Sequence, residues 1–220
     1  MNRPAHPPRT LAVLVSGTGS NLQAILEASR SGKLPLEPAL VVSDRAQAPA
    51  LDRARQQGVP AFSLERETFP SRSSWESALC EKLDQYRPDL VAMAGFMRVL
   101  RAETVQHFAG RLLNIHPSLL PRHPGLHPHR QAIEEGDPEH GATVHLVIPE
   151  VDAGPRLARI RVPILPDDTE LLLIERTKQA EHRLYPAVLA ELASGRLAVT
   201  PDTVFWKGAR LESPLEFPFS

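Results

Sequence analysis

The sequence predicts an α/β protein: a mostly parallel, twisted sheet with helices on both faces, and antiparallel strands in its C-terminal part. Three observations carry this. Over the first half of the 220-residue chain, apolar runs of strand length alternate with amphipathic helical stretches, the rhythm of strand–helix–strand units. Those runs are continuously apolar, as in strands buried on both faces. After residue 116 the rhythm breaks into a proline-rich loop, two neighbouring strand-like runs and one long helix.

The elements follow in order. "TLAVLV" (10–15) is the first strand, and a helix follows with Ser20 as its N-cap and Leu22, Ile25 and Leu26 on one face. "PALVVS" (38–43) is a strand, "LDRARQQG" (51–58) a short helix closed by Gly58, and "PAFSL" (60–64) a strand. "SSWESALCEKLDQY" (73–86) is a helix with Trp75, Leu79, Leu83 and Tyr86 on its core face, and Cys80 reads as a buried structural thiol. "DLVAMAG" (89–95) is a strand, residues 101–108 a helix, and "RLLNIH" (111–116) a fifth strand. "PSLLPRHPGLHPHR" (117–130), with four prolines, reads as a long irregular loop. "ATVHLVI" (142–148) and "RLARIRVPIL" (156–165) read as antiparallel strands joined by "PEVDAG" (149–154). A long helix covers 168–193, with Leu184, Val188, Leu189 and Leu192 on one face. The N-terminal "MNRPAHPPRT" is expected to fray, and the proline-rich tail from 200 holds one short strand at "TVFW", with Trp206 pinning it.

Composition narrows the function. A formal net charge of -1 argues against a general nucleic-acid or membrane surface. Cys80 is the one cysteine, which excludes an internal disulfide and suits a reducing, cytoplasmic setting. No apolar run approaches the ~20 residues that span a bilayer, and the N-terminus lacks the apolar core of a secretory signal.

Two constellations carry chemistry. In "LVSGTGSNLQ" (14–23) a strand ends in glycines and a helix begins at once. A dinucleotide fingerprint wants a third glycine where Leu22 stands, although Asp44 ends the second strand where a ribose-binding acid would sit. A P-loop wants a lysine, and none is there. What remains is an anion site made by Gly19, Ser20 and Asn21 at a helix N-terminus, or a well-capped turn with no ligand. In "LLNIHPSLLP", Asn114 and His116 share one face at the carboxyl end of a strand. An amide donor can stabilise an oxyanion and an imidazole can move a proton near neutral pH, though a lone buried histidine is often structural. Asp152 before Ala153-Gly154 is a turn residue that could reach His116. There it would favour the imidazolium, so the His116 pKa is expected above its ordinary ~6.5. Six of nine histidines lie between 116 and 145, but no cysteine or His-Glu-x-x-His pattern accompanies them and no metal is expected. His127, His129 and His145 are expected to bond backbone around the loop.

"VSGTGSNLQAI", "MAGFMRVL", "LLNIHPSLLPRHPGLHPHRQA", "HGATVHLV" and "VDAGP" together resemble the folate-dependent formyltransferases, within them the phosphoribosylglycinamide formyltransferase branch. The resemblance runs from about residue 10 to 199. It implies a Rossmann-like single domain, with a nucleotide-binding half at about 10–110, a catalytic and folate half at about 111–200, and the tail beyond. It implies formyl transfer from 10-formyltetrahydrofolate to glycinamide ribonucleotide in purine biosynthesis, by a monomer or homodimer. Asn114, His116 and Asp152 match the catalytic trio. Gly19, Ser20 and Asn21 match the phosphate site, with Lys178 and Glu181 as further nucleotide contacts. Phe96, Met97, Arg98, Val99 and Leu100 match the stretch whose backbone meets the pterin ring, Arg72 a further folate contact, and Val151 the loop closing that pocket. Asp44, His123, Arg159, Leu171 and Leu172 depart from the family pattern, and Arg159 is expected to alter the packing of the catalytic loop. Two relatives sharing the trio use other acceptors: a deformylase, with a preceding regulatory domain, and a methionyl-tRNA formyltransferase, with a trailing RNA-binding domain. The span of the resemblance points to neither.

Overall fold

The computed structural model describes residues 9–219, so the expected fraying of residues 1–8 lies outside them. β1 (Thr10–Val15), β2 (Glu37–Ser43), β3 (Ala61–Ser63), β4 (Leu90–Met93) and β5 (Leu112–His116) form the parallel part of one sheet. β6 (Glu139–Leu146) and β7 (Arg156–Pro163) extend it antiparallel. β11 (Leu215–Phe217) closes the edge parallel to β7, giving the order β11-β7-β6-β5-β4-β1-β2-β3. β8 (Leu197–Val199), β9 (Val204–Trp206) and β10 (Ala209–Arg210) make a small separate antiparallel sheet.

The pleat sorts the core into two halves. Leu11, Val13 and Val15 of β1 meet α1 (Ser20–Arg30), α2 (Pro49–Gln56) and α6 (Glu170–Ala193) on one face. Ala12 and Leu14 face α3 (Arg72–Tyr86) and α4 (Ala102–His107) on the other, with Trp75, Leu79 and Leu83 buried among them. Such two-sided burial is why the runs read as continuously apolar. Chain order reverses between β1 and β4, and ligands bind open α/β sheets at the carboxyl ends beside such a switch point. The Tyr185 hydroxyl of α6 donates to the Met93 and Leu113 carbonyls at 3.2 and 3.3 Å, tying β4 to β5 below that edge.

Several expectations change. Gly19, not Ser20, caps α1: its φ of 73 is left-handed, and Ser20 is already the first helical residue. The stretch read as irregular through 130 ends earlier, because Pro128 at the first helical position starts α5 (Pro128–Glu134). The tail carries strand beyond "TVFW", namely β10 and β11. Arg159, expected to pack on the 149–154 loop, pairs with Glu216 of β11. Cys80 is half-buried, and burial pushes its thiol pKa up.

Candidate active site

The switch point opens into a cavity of about 540 Å³. Three chain segments build its wall: the Gly17–Asn21 turn after β1, the Met93–Leu100 stretch after β4, and Asn114–Pro117 at the end of β5. The 147–152 loop and residues 125–129 close the far side, and Lys178 and Glu181 of α6 complete it.

The antiparallel pairing of β5 with β6 aligns Asn114 with His145 and His116 with Thr143. The loop between β6 and β7 then returns Asp152 to the same place. Gly154 makes that return possible, since a Cβ there would lie 1.8 Å from the Leu146 carbonyl oxygen. Asp152 itself sits at φ 53, a left-handed conformation that Asp tolerates. Its Oδ2 accepts the Gly125 N–H at 2.8 Å and lies 3.3 Å from His116 Nδ1. Its Oδ1 lies 3.5 Å from His145 Nε2.

The tautomers follow from the carbonyls. His116 Nε2–H donates to the His123 carbonyl at 2.9 Å, so Nδ1 faces Asp152. His145 Nδ1–H donates to the Leu146 carbonyl at 2.8 Å, which leaves Nε2 to accept the Asn114 amide N–H at 3.2 Å. That bond orients the Asn114 amide and leaves its second N–H for a ligand. His145 thus makes a backbone bond as expected, to Leu146 of its own strand rather than to the long loop, and it also lines the site, paired across the sheet from Asn114.

The expected rise in the His116 pKa does not occur. Burial pushes it below its ordinary value; the Asp152 carboxylate and the His123 carbonyl pull the other way without overcoming it. Burial would raise Asp152, but its contacts with His145 and His116 and the Gly125 N–H outweigh burial and hold its pKa below the usual value. Asp152 is therefore ionised and His116 mainly neutral near pH 7, an imidazole lone pair beside a carboxylate.

Around this centre the anticipated residues divide. Gly19, Ser20 and Asn21 line the cavity, and Asn21 Nδ2 donates to Glu181 Oε2 at 3.0 Å. Burial pushes the Glu181 carboxyl pKa up to about 7, against the Asn21 hydrogen bond and the Lys178 charge. Lys178 lines the cavity while its Nζ pairs with Glu175 at 2.7 Å. Phe96, Met97, Arg98, Val99 and Leu100 all line it, and Met97 and Val99, like Leu126 and Val151 of the same lining, are exposed. Arg72 stays behind the wall: it pairs with Glu76 and donates to the Val99 carbonyl. Asp44 is buried and fixes Arg98 through a 2.7 Å contact to Nε. His123 is buried against Asp137 at 2.8 Å. His123, Glu135 and Asp137 are the group of described residues whose ligand atoms could converge on a cation, and the Arg122 guanidinium already lies on Asp137. His129 Nε2 is buried without a partner, contrary to the expected backbone bond.

The formyl transferase family profile matches residues 9–189. Phosphoribosylglycinamide formyltransferase from Escherichia coli is 46% identical over 201 residues, covering 91% of this chain and 95% of that protein. The phosphoribosylglycinamide formyltransferase structure from Coxiella burnetii superposes with a TM-score of 0.91 at 44% identity, covering 96% of this chain and all of that one. Glycinamide ribonucleotide transformylase 1 from Symbiobacterium toebii gives 0.87 at 45% identity, over 90% of this chain and 94% of its own. Together, the profile match and this likeness over nearly the full length show that the chain belongs to the formyl transferase family.

Proposed function

We propose that this chain transfers the formyl group of 10-formyltetrahydrofolate to the amine of glycinamide ribonucleotide, giving formylglycinamide ribonucleotide and tetrahydrofolate in purine biosynthesis. One observation carries the site assignment: Asn114, His116 and Asp152 meet in a single cavity that the Gly17–Asn21 turn also lines.

The turn offers backbone N–H groups and a helix N-terminus to the single phosphate of the ribonucleotide, with Lys178 adding positive charge at the same wall. Glu181 and Asn21 stand beside it as acceptor and donor for the ribose hydroxyls. The exposed apolar faces of Met97, Val99, Leu126 and Val151 flank a slot suited to the flat pterin, whose polar edge meets the backbone of 96–100.

The amine attacks the formyl carbon, and the carbonyl electrons move to oxygen. The free Asn114 N–H donates to this oxyanion. The His116–Asp152 pair takes the proton that the attacking nitrogen sheds: it is held between Asp152 Oδ2 and His116 Nδ1, the one ring nitrogen with a free lone pair, and the carboxylate stabilises the imidazolium so formed. The same proton passes to N10 of the folate as the tetrahedral intermediate collapses and the carbon–N10 bond breaks. A neutral imidazole before attack suits this role, because it can accept a proton. Each charge that develops has a protein partner, so these steps call for no metal. We place the reaction in the cytoplasm.

The test is product identity. Enzyme given both substrates should yield a ribonucleotide heavier by one formyl group in mass spectrometry, and Asn114→Ala should leave it largely unformylated. Unaltered ribonucleotide with the wild-type enzyme refutes the assignment.

A further inference from the structure

Two carbonyls of the glycine turn are held from behind by α2. The Gly17 carbonyl accepts the Ala50 N–H at 3.3 Å, and the Thr18 carbonyl accepts Arg53 Nε–H at 2.8 Å. Arg53 Nη1 also reaches Gln23 Oε1 of α1 at 3.3 Å, so one guanidinium bridges the turn and the helix that follows it. Neither Ala50 nor Arg53 lines the cavity. In a trans peptide the C=O and the next N–H point in opposite directions. Holding the Gly17 and Thr18 carbonyls on α2 therefore turns the N–H groups of Thr18 and Gly19 the other way, toward the cavity that the turn lines.

The turn needs such a restraint. Gly17 and Gly19 flank Thr18, and glycine lets a peptide unit rotate at little cost. Gly19 is also packed hard on α2, where a Cβ would lie 2.6 Å from Ala50 Cβ. Steric contact fixes where the turn lies; only a donor to the Thr18 carbonyl fixes which way that peptide faces.

We propose that Arg53 is a positioning residue for the ribonucleotide phosphate: without touching the ligand, it holds the Thr18–Gly19 peptide so that its N–H meets the anion. This rests on the phosphate reading of the turn given above.

Three substitutions separate a donor from a charge. Gln places an amide nitrogen as many bonds from Cα as Arg Nε, without charge; Lys keeps the charge but carries its donor one atom further; Met keeps the length and has no donor. Arg53→Met should raise KM for glycinamide ribonucleotide about tenfold, the scale of one hydrogen bond, and leave kcat and KM for 10-formyltetrahydrofolate unchanged. Arg53→Gln should bring KM back close to the wild-type value, and Arg53→Lys should not. If Lys restores KM and Gln does not, Arg53 acts by charge and the proposal is overturned. It is overturned equally if Arg53→Met leaves the ribonucleotide KM unchanged, or lowers kcat and melting temperature without a ribonucleotide-specific effect. Lys178→Met, which leaves α2 untouched, reports on the underlying reading. If it too leaves the ribonucleotide KM unchanged, the phosphate site is wrongly placed; if it raises KM while Arg53→Met does not, only the role of Arg53 fails.

Discussion

His116 Nδ1 lies 3.3 Å from Asp152 Oδ2, while Nε2–H of the same ring is committed to the His123 carbonyl at 2.9 Å. The ring therefore has one direction in which to gain a proton, and a carboxylate waits there. Burial holds the imidazole neutral, and Asp152 is the largest influence opposing burial. In Asp152→Asn the His116 pKa should fall further, and kcat should drop by about 10²–10⁴, the usual worth of general acid–base catalysis. Imidazole titration by NMR checks the first half; identical His116 pKa values in both proteins would contradict the coupling.

Asn114 is held by His145, whose own tautomer is set by the Leu146 carbonyl. Asn114→Ala removes the proposed oxyanion donor and should lower kcat by roughly 10²–10³. KM for both substrates should stay near the wild-type values, because the bond strengthens only as charge develops on oxygen. Steady-state kinetics decides this: a large KM change at constant kcat would make Asn114 a binding residue instead.

Glu181, which lines the cavity, carries a stability cost. Its folded-state pKa of about 7 lies above the ordinary ~4.3 of a free glutamate. A raised carboxyl contributes stability that is complete below the unfolded value and lost as pH rises through the folded one. Glu181→Gln should therefore match the wild-type melting temperature near pH 4.5 and exceed it at pH 8, while binding the ribonucleotide more weakly. A melting-temperature difference that does not change with pH contradicts this.

His140 and His129 run with the opposite sign. Burial is the leading cause that pushes them down to about 3 and about 4. Each is neutral in the fold, so its contribution is complete above the ordinary ~6.5 and is lost as pH falls from there through the folded value. Thermal melts of the wild type should decline between pH 6.5 and 4, and His140→Gln should flatten that decline. Parallel melting curves for the two proteins across this range would count against it.

How much of this was legible in the sequence follows from what each signal depends on. The parallel strands announced themselves because burial on both faces leaves no polar position in 11–15 or 90–93. Asn114 and His116 were legible as a pair because strand periodicity alone puts them on one face. Asp152 was legible as within reach of His116, but its hold on the ring was not: burial has no sequence signature at a single histidine, so the expected rise in pKa became a fall. The Ser20 cap failed because the backbone at Gly19 reaches the left-handed region that a side chain disfavours, which moves the cap back one residue. α5 was hidden because Pro128 reads as a breaker unless it is known to occupy a first helical turn. β11 was hidden because a three-residue edge strand has no periodicity to detect; it is fixed by β7 and by Glu216 pairing with Arg159 and Arg161.

The central claim is that one cavity joins a formyl donor to a ribonucleotide amine, and tetrahydrofolate release tests it most directly. Purified enzyme with 10-formyltetrahydrofolate alone should release tetrahydrofolate very slowly, because the site provides for an amine nucleophile held by its phosphate and not for water. Adding glycinamide ribonucleotide should start rapid release, with one formylated ribonucleotide formed per folate consumed. Release at full speed without the ribonucleotide, or acceleration only by charged initiator tRNA, would contradict the account.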